Sequence, residues 1–175
     1  MIKFIIITLL TFCATTINAQ VAIGKQSITN KSISLEFGSG DRGIILPYVT
    51  SAEAVQNKGV VDGTLVFDTT DKKVKLRANN NWVDLSKSDE GIVDVNIQDN
   101  KIEKDDAKVI IGKNGSSNNT PGILVLSDTD KAMVLPKVDS PHLNIVNPSA
   151  GMLVYDTKSR QLAVFNGKVW TFWQP

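Results

Sequence analysis

A seven-residue motif occurs twice in this 175-residue chain, and the repetition constrains its fold more than any other feature. Gly63–Thr69 reads GTLVFDT and Gly151–Thr157 reads GMLVYDT, and a tryptophan, Trp82 or Trp170, follows each motif after thirteen residues. Two further motifs repeat in the same order at spacings of 88 and 89 residues: Ile-Gly-Lys at 23–25 and 111–113, and Leu-Pro-x-Val at 46–49 and 135–138. Several matches in one order indicate an internal duplication. The chain therefore contains two copies of one structural unit.

The first 19 residues have the features of an export signal. Lys3 supplies a positive charge, residues 4–12 are mostly apolar, and Ala19 is a small residue suited to cleavage before Gln20. The apolar run is shorter than the roughly 20 residues of a membrane-spanning helix. We predict a signal peptide over 1–19 and an exported product, in the periplasm, on the outer membrane or outside the cell, with no transmembrane span. The alternative is a lipoprotein anchored through Cys13, but this requires a small residue where Phe12 stands.

Composition narrows the classes of function that remain after this signal is removed. Cys13 is the single cysteine, so the mature chain would have neither disulfides nor a cysteine nucleophile or metal ligand. The sequence has 19 basic and 18 acidic residues, and removal of Lys3 leaves equal numbers. Because nucleic acids and anionic membranes select basic surfaces, this balance disfavours both as partners.

The hydropathy pattern predicts a mainly β fold built from two tandem β-meander modules, 20–85 and 109–175, each with one short helix. Ile33–Phe37 alternates apolar and polar residues, as a half-buried strand does. Thr50 and Glu53 have the spacing of a capping box at the first helix. Ser140 can cap the second helix, with Pro141 at its first position.

A three-stranded meander is predicted to end each module. The expected strands are 64–67, 73–77 and 82–85 in copy one, and 152–155, 161–165 and 169–173 in copy two. Asn166-Gly167, between two β-rich runs, is a strong hairpin signal. Residues 86–108 differ in kind, because 11 of these 23 residues are charged. We interpret them as a solvated connector that holds one extra strand over 92–97.

The repeated apolar residues are predicted to form the core of each module. This set comprises Trp82, Trp170, Leu65, Leu153, Phe67 and Tyr155. Phe172 and Trp173 have no aromatic counterpart in copy one, so they are the candidate contact surface. The alternative for the aromatic residues is a platform on which a sugar ring stacks.

No pattern in the sequence predicts catalysis, a metal site or a cofactor. His142 is the single histidine and lacks a partner for a triad or a histidine metal site. Asp128-Thr129-Asp130 lacks the glycine and the distant acid of a calcium loop. The Gly-Lys pairs at 24–25 and 112–113 lack the spacing of a phosphate loop. The remaining carboxylates fall at predicted turns, where aspartate is favoured: Asp41, Asp68, Asp71 and Asp156.

Together these residues resemble a repeat family common in exported proteins of Bacteroidota, found in adhesins and in proteins similar to phage tail fibres. The family pattern is an Ile-Gly opening, an acidic residue and glycine before an apolar run ending in proline, Gly-x-Leu-Val-Tyr-Asp-Thr, an Asn-Gly turn and a tryptophan. The matching positions here are Ile23-Gly24, Asp41–Pro47, Gly63–Thr69, Trp82, Ile111-Gly112, Leu135-Pro136, Gly151–Thr157, Asn166-Gly167 and Trp170. The arginine that usually follows Leu-Pro is replaced by Tyr48 and Lys137, and Asp130-Lys131-Ala132 departs from Asp-Arg-Gly.

The resemblance implies a non-enzymatic structural or adhesive subunit of the bacterial cell envelope or surface, which works through protein–protein contacts. The expected partners are other subunits, including further copies of the same chain. A module of about 65 residues buries only about 60% of its unfolded surface, which favours stacking on a neighbour. Two alternatives remain: a glycan-binding module, and an accessory component of a secretion or surface-motility complex.

Overall fold

The computed structural model describes residues 19–173 except 97, 99, 103, 105 and 114, so most of the predicted signal peptide lies outside the described residues. The described residues form fourteen strands, two short α-helices and a 3₁₀ turn at Gly115–Ser117, which confirms the mainly β class. In copy one the elements are β1 (Val21–Ile23), β2 (Ile33–Phe37), β3 (Ile44–Ile45), β4 (Tyr48–Val49), α1 (Ala52–Gln56), β5 (Leu65–Asp68), β6 (Lys73–Ala78) and β7 (Asn81–Asp84). In copy two they are β8 (Val109–Ile111), β9 (Leu124–Leu126), β10 (Ala132–Val134), β11 (Lys137–Val138), α2 (Pro141–Asn144), β12 (Met152–Asp156), β13 (Gln161–Phe165) and β14 (Trp170–Trp173).

Both predicted meanders are present, with strand ends within one residue of those expected. β5, β6 and β7 pair antiparallel in chain order, and β12, β13 and β14 do the same. A short parallel strand lies beside the first strand of each meander: β4 beside β5, and β11 beside β12. The matching pairings show that the repeated sequence folds in the same way twice.

Strands of the two copies also pair with each other in shared sheets, which the prediction of two tandem modules does not include. β3 of copy one pairs antiparallel with β12 of copy two. β10 of copy two pairs parallel with β2 of copy one, whose other edge carries β1. As a result β2 is buried on both faces, from Ile33 to Glu36, so its prediction as a half-buried strand is wrong.

Apolar side chains form two clusters. The first contains residues of both copies: Leu46, Phe67, Val74, Leu85, Ala150, Leu153 and Val164. The second belongs to copy two: Val138, Ile145, Met152, Val154, Ala163 and Phe165. Much of the core is therefore the contact between the copies.

The two helix caps differ from those predicted. Ser51 is the N-cap of α1, where its Oγ accepts a hydrogen bond from Ala54 N at 3.1 Å; the cap is not Thr50. Ser140 has left-handed backbone angles and makes no side-chain cap, and its Oγ donates instead to the Asp139 carboxylate at 2.6 Å. Pro141 does occupy the first helical position. In both copies an aspartate of the following meander accepts a backbone hydrogen bond at the start of the helix.

The connector is folded against copy two over its first part. The extra strand expected over 92–97 is absent from the described residues 92–96, and Ile97 lies outside them. Ile92 N donates to the Asn166 carbonyl at 3.1 Å, and Asn166 Nδ2 donates to the Ser88 carbonyl at 3.2 Å. The first part of this charged segment is therefore hydrogen-bonded to copy two.

Glu36 gives the fold a specific acid sensitivity. Its carboxylate accepts hydrogen bonds from Lys25 Nζ, Thr29 N and Thr29 Oγ1 at 2.8, 2.6 and 2.7 Å, and these bonds lower its pKa from 4.5 to about 2, with that from Lys25 the largest cause. A lowered carboxyl pKa stabilises the fold above the unfolded value and loses this contribution as the pH falls towards the folded value. We expect Glu36→Gln to flatten the loss of stability between pH 4.5 and about 2. Urea denaturation midpoints across that range test this, and a slope equal to that of the parent would contradict it.

Candidate oligomerisation surface

The contact between the copies is the best-defined candidate for a functional surface. On its backbone side, Leu46 N donates to the Gly151 carbonyl at 3.1 Å, next to the β3–β12 pair. We call β3 and β10 the exchanged strands, because each pairs with a strand of the other copy. Beside the β10–β2 pair, Ala132 N donates to the Ser32 carbonyl at 2.8 Å. These hydrogen bonds join backbone groups and therefore depend on strand geometry more than on side-chain identity.

Equivalent residues of the two copies are buried unequally at this contact. Phe67 of copy one is fully buried, whereas its counterpart Tyr155 is half-buried. The opposite holds two residues earlier in the strand, where Leu153 of copy two is buried and its counterpart Leu65 is half-buried. At the contact, copy one thus buries the position of Phe67, whereas copy two buries the position of Leu153.

Polar groups add to the contact. Tyr48 Oη donates to the Ala150 carbonyl at 2.9 Å, and Trp173 Nε1 donates to the Leu85 carbonyl at 2.5 Å. Burial, followed by the negative charge of Asp94 in the connector, raises the pKa of the Tyr48 phenol, which keeps it protonated as a donor. The connector also contributes Lys87, whose N donates to Thr171 Oγ1 at 3.2 Å.

Gly151 lies where the two copies approach each other closely, and its counterpart Gly63 allows a controlled test. Both have positive φ, 72° and 89°, so alanine costs about 1–2 kcal/mol of backbone strain at either. A Cβ on Gly151 would lie 2.9 Å from Phe67 Cβ, whereas one on Gly63 would meet nothing within 4 Å. We expect Gly151→Ala to lower the free energy of unfolding by about 1–3 kcal/mol more than Gly63→Ala. Urea denaturation of both variants measures the difference, and equal losses would contradict the close approach.

The two repeated tryptophans occupy the same register but have different neighbours. Trp82 lies opposite Arg77, whose guanidinium carbon is 5.6 Å from the ring centroid, and Trp170 lies opposite Phe165, with ring centroids 5.1 Å apart. Both are half-buried. Trp170 packs on the second cluster, whereas Trp82 is in neither cluster, and its buried Nε1 has no hydrogen-bond partner among the described residues.

The terminal aromatic pair faces the body of the chain. Trp173 packs against the first cluster, with Lys87 Nζ 5.8 Å from its ring centroid. Phe172 packs on the second cluster and meets the His142 ring edge-on at 5.7 Å. The structure therefore places Trp173 in the contact between the copies and Phe172 beside α2.

The carboxylates singled out in the sequence serve structure or lie at the surface. Asp68 and Asp156 are buried and accept backbone hydrogen bonds both at turns and at the starts of the two helices. Asp71 pairs with Lys75, and Asp128 accepts from Lys113 N and Lys131 Nζ, bonds that lower its pKa. Asp41, Asp130 and His142 are exposed. Within the described ranges, no group of three or more His, Cys, Asp or Glu side chains could hold a metal ion.

None of the helices in the described part of the chain has both the length and the apolar character needed to cross a membrane.

Residues 111–174 match a family model described as the phage tail like trimerisation region. The matched segment is copy two from Ile111 onward and is less than half of the chain. Comparison with curated proteins and with solved structures gave no match. The family match agrees with the tail-fibre part of the resemblance, and its description concerns assembly rather than catalysis.

Proposed function

We propose that this chain is a non-enzymatic structural subunit that acts by associating with further copies of itself into a trimer. One observation carries the proposal: copy two, most of which matches a trimerisation region, meets copy one through a contact that uses different faces of the two repeats. Interfaces of this head-to-tail kind continue until they close into a ring or extend into a filament. Association supplies the burial that a repeat of about 65 residues cannot provide alone.

We infer the cellular setting from the sequence. The export signal predicted over residues 1–19 and the resemblance to exported Bacteroidota repeats support a location in the periplasm, on the outer membrane or outside the cell. In that setting the trimer would be a structural or adhesive part of the envelope or of a surface fibre. The chain has nearly equal numbers of acidic and basic residues, so attachment through other protein subunits fits it better than attachment to nucleic acid.

Light scattering coupled to size-exclusion chromatography tests the proposal. We expect the purified chain to have three times the mass of one chain at micromolar concentration and to dissociate on dilution. A mass of one chain at the highest soluble concentration would overturn the proposal.

A further inference from the structure

We propose that the two copies form two-thirds of a ring of three repeats. A repeat from a second molecule of the same chain completes this ring by pairing with four open strand edges. The ring rests on the proposed self-association and specifies the surfaces through which it occurs.

The unequal burial of equivalent residues excludes a two-fold relation between the copies. A two-fold contact uses the same patch on both partners and would bury equivalent residues equally. Here Phe67 and Leu153 are buried while Tyr155 and Leu65 are not. The copies are therefore related by a rotation that leaves one complementary face unused on each.

The exchanged strand can pair with two neighbours at once. Leu46 N points to β12, whereas Ala132 N points to β2. The sequence match of Leu46-Pro47 with Leu135-Pro136 makes Ala132 equivalent to Gly43, three residues before Leu46. Because successive N–H groups of a strand alternate in direction, these two hydrogen bonds use opposite edges of the same strand type. One such strand can thus lie between a β2-type strand and a β12-type strand.

These pairings bring three repeats around one axis. Strands in a sheet are about 4.8 Å apart, so the two neighbours of one exchanged strand are only about 10 Å from each other. Leu85 and Trp173, which are equivalent positions 88 residues apart, also touch through a hydrogen bond. Equivalent positions can meet only close to the rotation axis that relates them.

Each observed pairing has an unpaired counterpart in the described part of the chain. β2 carries β10, and its Leu35 is 1% exposed, but β9 pairs with β8 alone, and the equivalent Leu124 is 48% exposed. β12 carries β3 beside buried Met152, whereas β5 carries no such strand beside half-buried Thr64. The second edges of β3 and β10 are the other two sites.

A single additional repeat fits all four edges. Its β3-type strand would lie between β5 and β9, its β2-type strand would pair with β3, and its β5-type strand would pair with β10. Every one of these partners is a strand type of this chain, so the occupant is another copy of the chain. Each ring takes three repeats and each chain has two, so three chains forming two rings are the smallest assembly that leaves no repeat unpaired. Two of these chains each place both copies in one ring, as in this structure, and the third chain places one of its copies in each ring.

Engineered disulfides test the ring. Ile45 and Met152 face each other in an antiparallel pair next to the hydrogen bond from Leu46, the position at which Cα atoms are about 4.5 Å apart and within disulfide range. Thr64 is equivalent to Met152, so its partner in the ring is Ile45 or the equivalent Val134 of another chain. The variants are Thr64→Cys with Ile45→Cys and Thr64→Cys with Val134→Cys, both with Cys13→Ser. Ile45→Cys with Met152→Cys is the control for geometry.

We expect at least one of the two Thr64 variants to give disulfide-linked chains on mild oxidation, and the control pair to oxidise as well. If the control oxidises and neither Thr64 variant links chains, the ring is wrong. A trimeric mass together with this failure would leave the proposed function standing, whereas a monomeric mass would remove both.

A surface variant provides an independent test without cysteines. Leu124→Lys places a charge on the open edge of β9, a substitution that blocks strand pairing. Leu143→Lys is the matched control, because Leu143 is 70% exposed and belongs to α2, not to any of the four strands that carry the open edges. We expect Leu124→Lys to weaken trimer formation about ten-fold or more and Leu143→Lys to leave it unchanged. Equal association of both variants would overturn the assignment of β9.

Discussion

Phe67→Ala is expected to lower the free energy of unfolding by about 3–5 kcal/mol, the usual cost of removing a fully buried phenylalanine side chain. Phe67 is fully buried in the first cluster, contacts the Tyr48 ring at a centroid distance of 5.2 Å and lies against Gly151 of the other copy. The substitution therefore creates a cavity in the contact between the copies. Urea denaturation followed by tryptophan fluorescence measures the loss.

Tyr155→Ala at the equivalent position gives the matched comparison. Tyr155 is half-buried in the single chain, so less surface is lost and we expect a cost of about 1–2 kcal/mol. In the closed ring Tyr155 would occupy the position that Phe67 has here, and its substitution would then also weaken association. Equal losses for both variants in dilute, monomeric chain would contradict the head-to-tail contact.

The sequence predicts the meanders well because their signals are local. Alternating apolar residues and the Asn166-Gly167 turn depend only on near neighbours in the chain, and the structure has the strands where they were expected. The exchanged strands lack such a signal. Ile44–Ile45 is a short apolar run, and nothing in its sequence says that its partner is Met152-Leu153 more than 100 residues later. Strand partners at that separation are set by the whole contact.

The aromatic residues show a similar division. The absence of an aromatic counterpart for Trp173 in copy one drew attention to a residue that lies in the contact between copies. Which copy it touches depends on the rotation between the repeats, and spacing does not encode that rotation. The helix caps were missed for another reason: Thr50 and Ser51 are both acceptable caps, and only the backbone direction before α1 selects Ser51.

Asp156 and Asp68 share a role that also escaped the sequence, since each was predicted simply to begin a turn. Asp156 Oδ1 accepts hydrogen bonds from Lys158 N at 2.9 Å and Ser159 N at 3.3 Å, which form the turn. It also accepts from Ser140 N at 3.1 Å, at the start of α2. Asp68 repeats this arrangement with Ala52 N at 2.8 Å, at the start of α1. The aspartate therefore ties the helix to the meander in both copies.

Asp156→Ala is expected to lower the free energy of unfolding by about 3 kcal/mol or more, because it leaves several backbone N–H groups near a buried position without an acceptor. Burial alone would raise the pKa of Asp156, but hydrogen bonds from Ser159, Lys158 and Ser140 outweigh it and lower the pKa. The stabilisation is therefore complete above the unfolded pKa of about 3.8 and declines as the pH falls below it. Asp156→Asn keeps one acceptor oxygen and should lose less than the alanine variant.

Asp41→Ala is the control, since Asp41 is also a turn aspartate but is exposed. We expect its unfolding free energy to stay within about 0.5 kcal/mol of the parent. Thermal and urea denaturation at pH 7 and pH 3 separate the two cases, because the deficit of Asp156→Ala relative to the parent should shrink at the lower pH. If Asp156→Ala and Asp41→Ala were equally stable, the carboxylate would contribute only a turn preference and would not hold α2 against the meander.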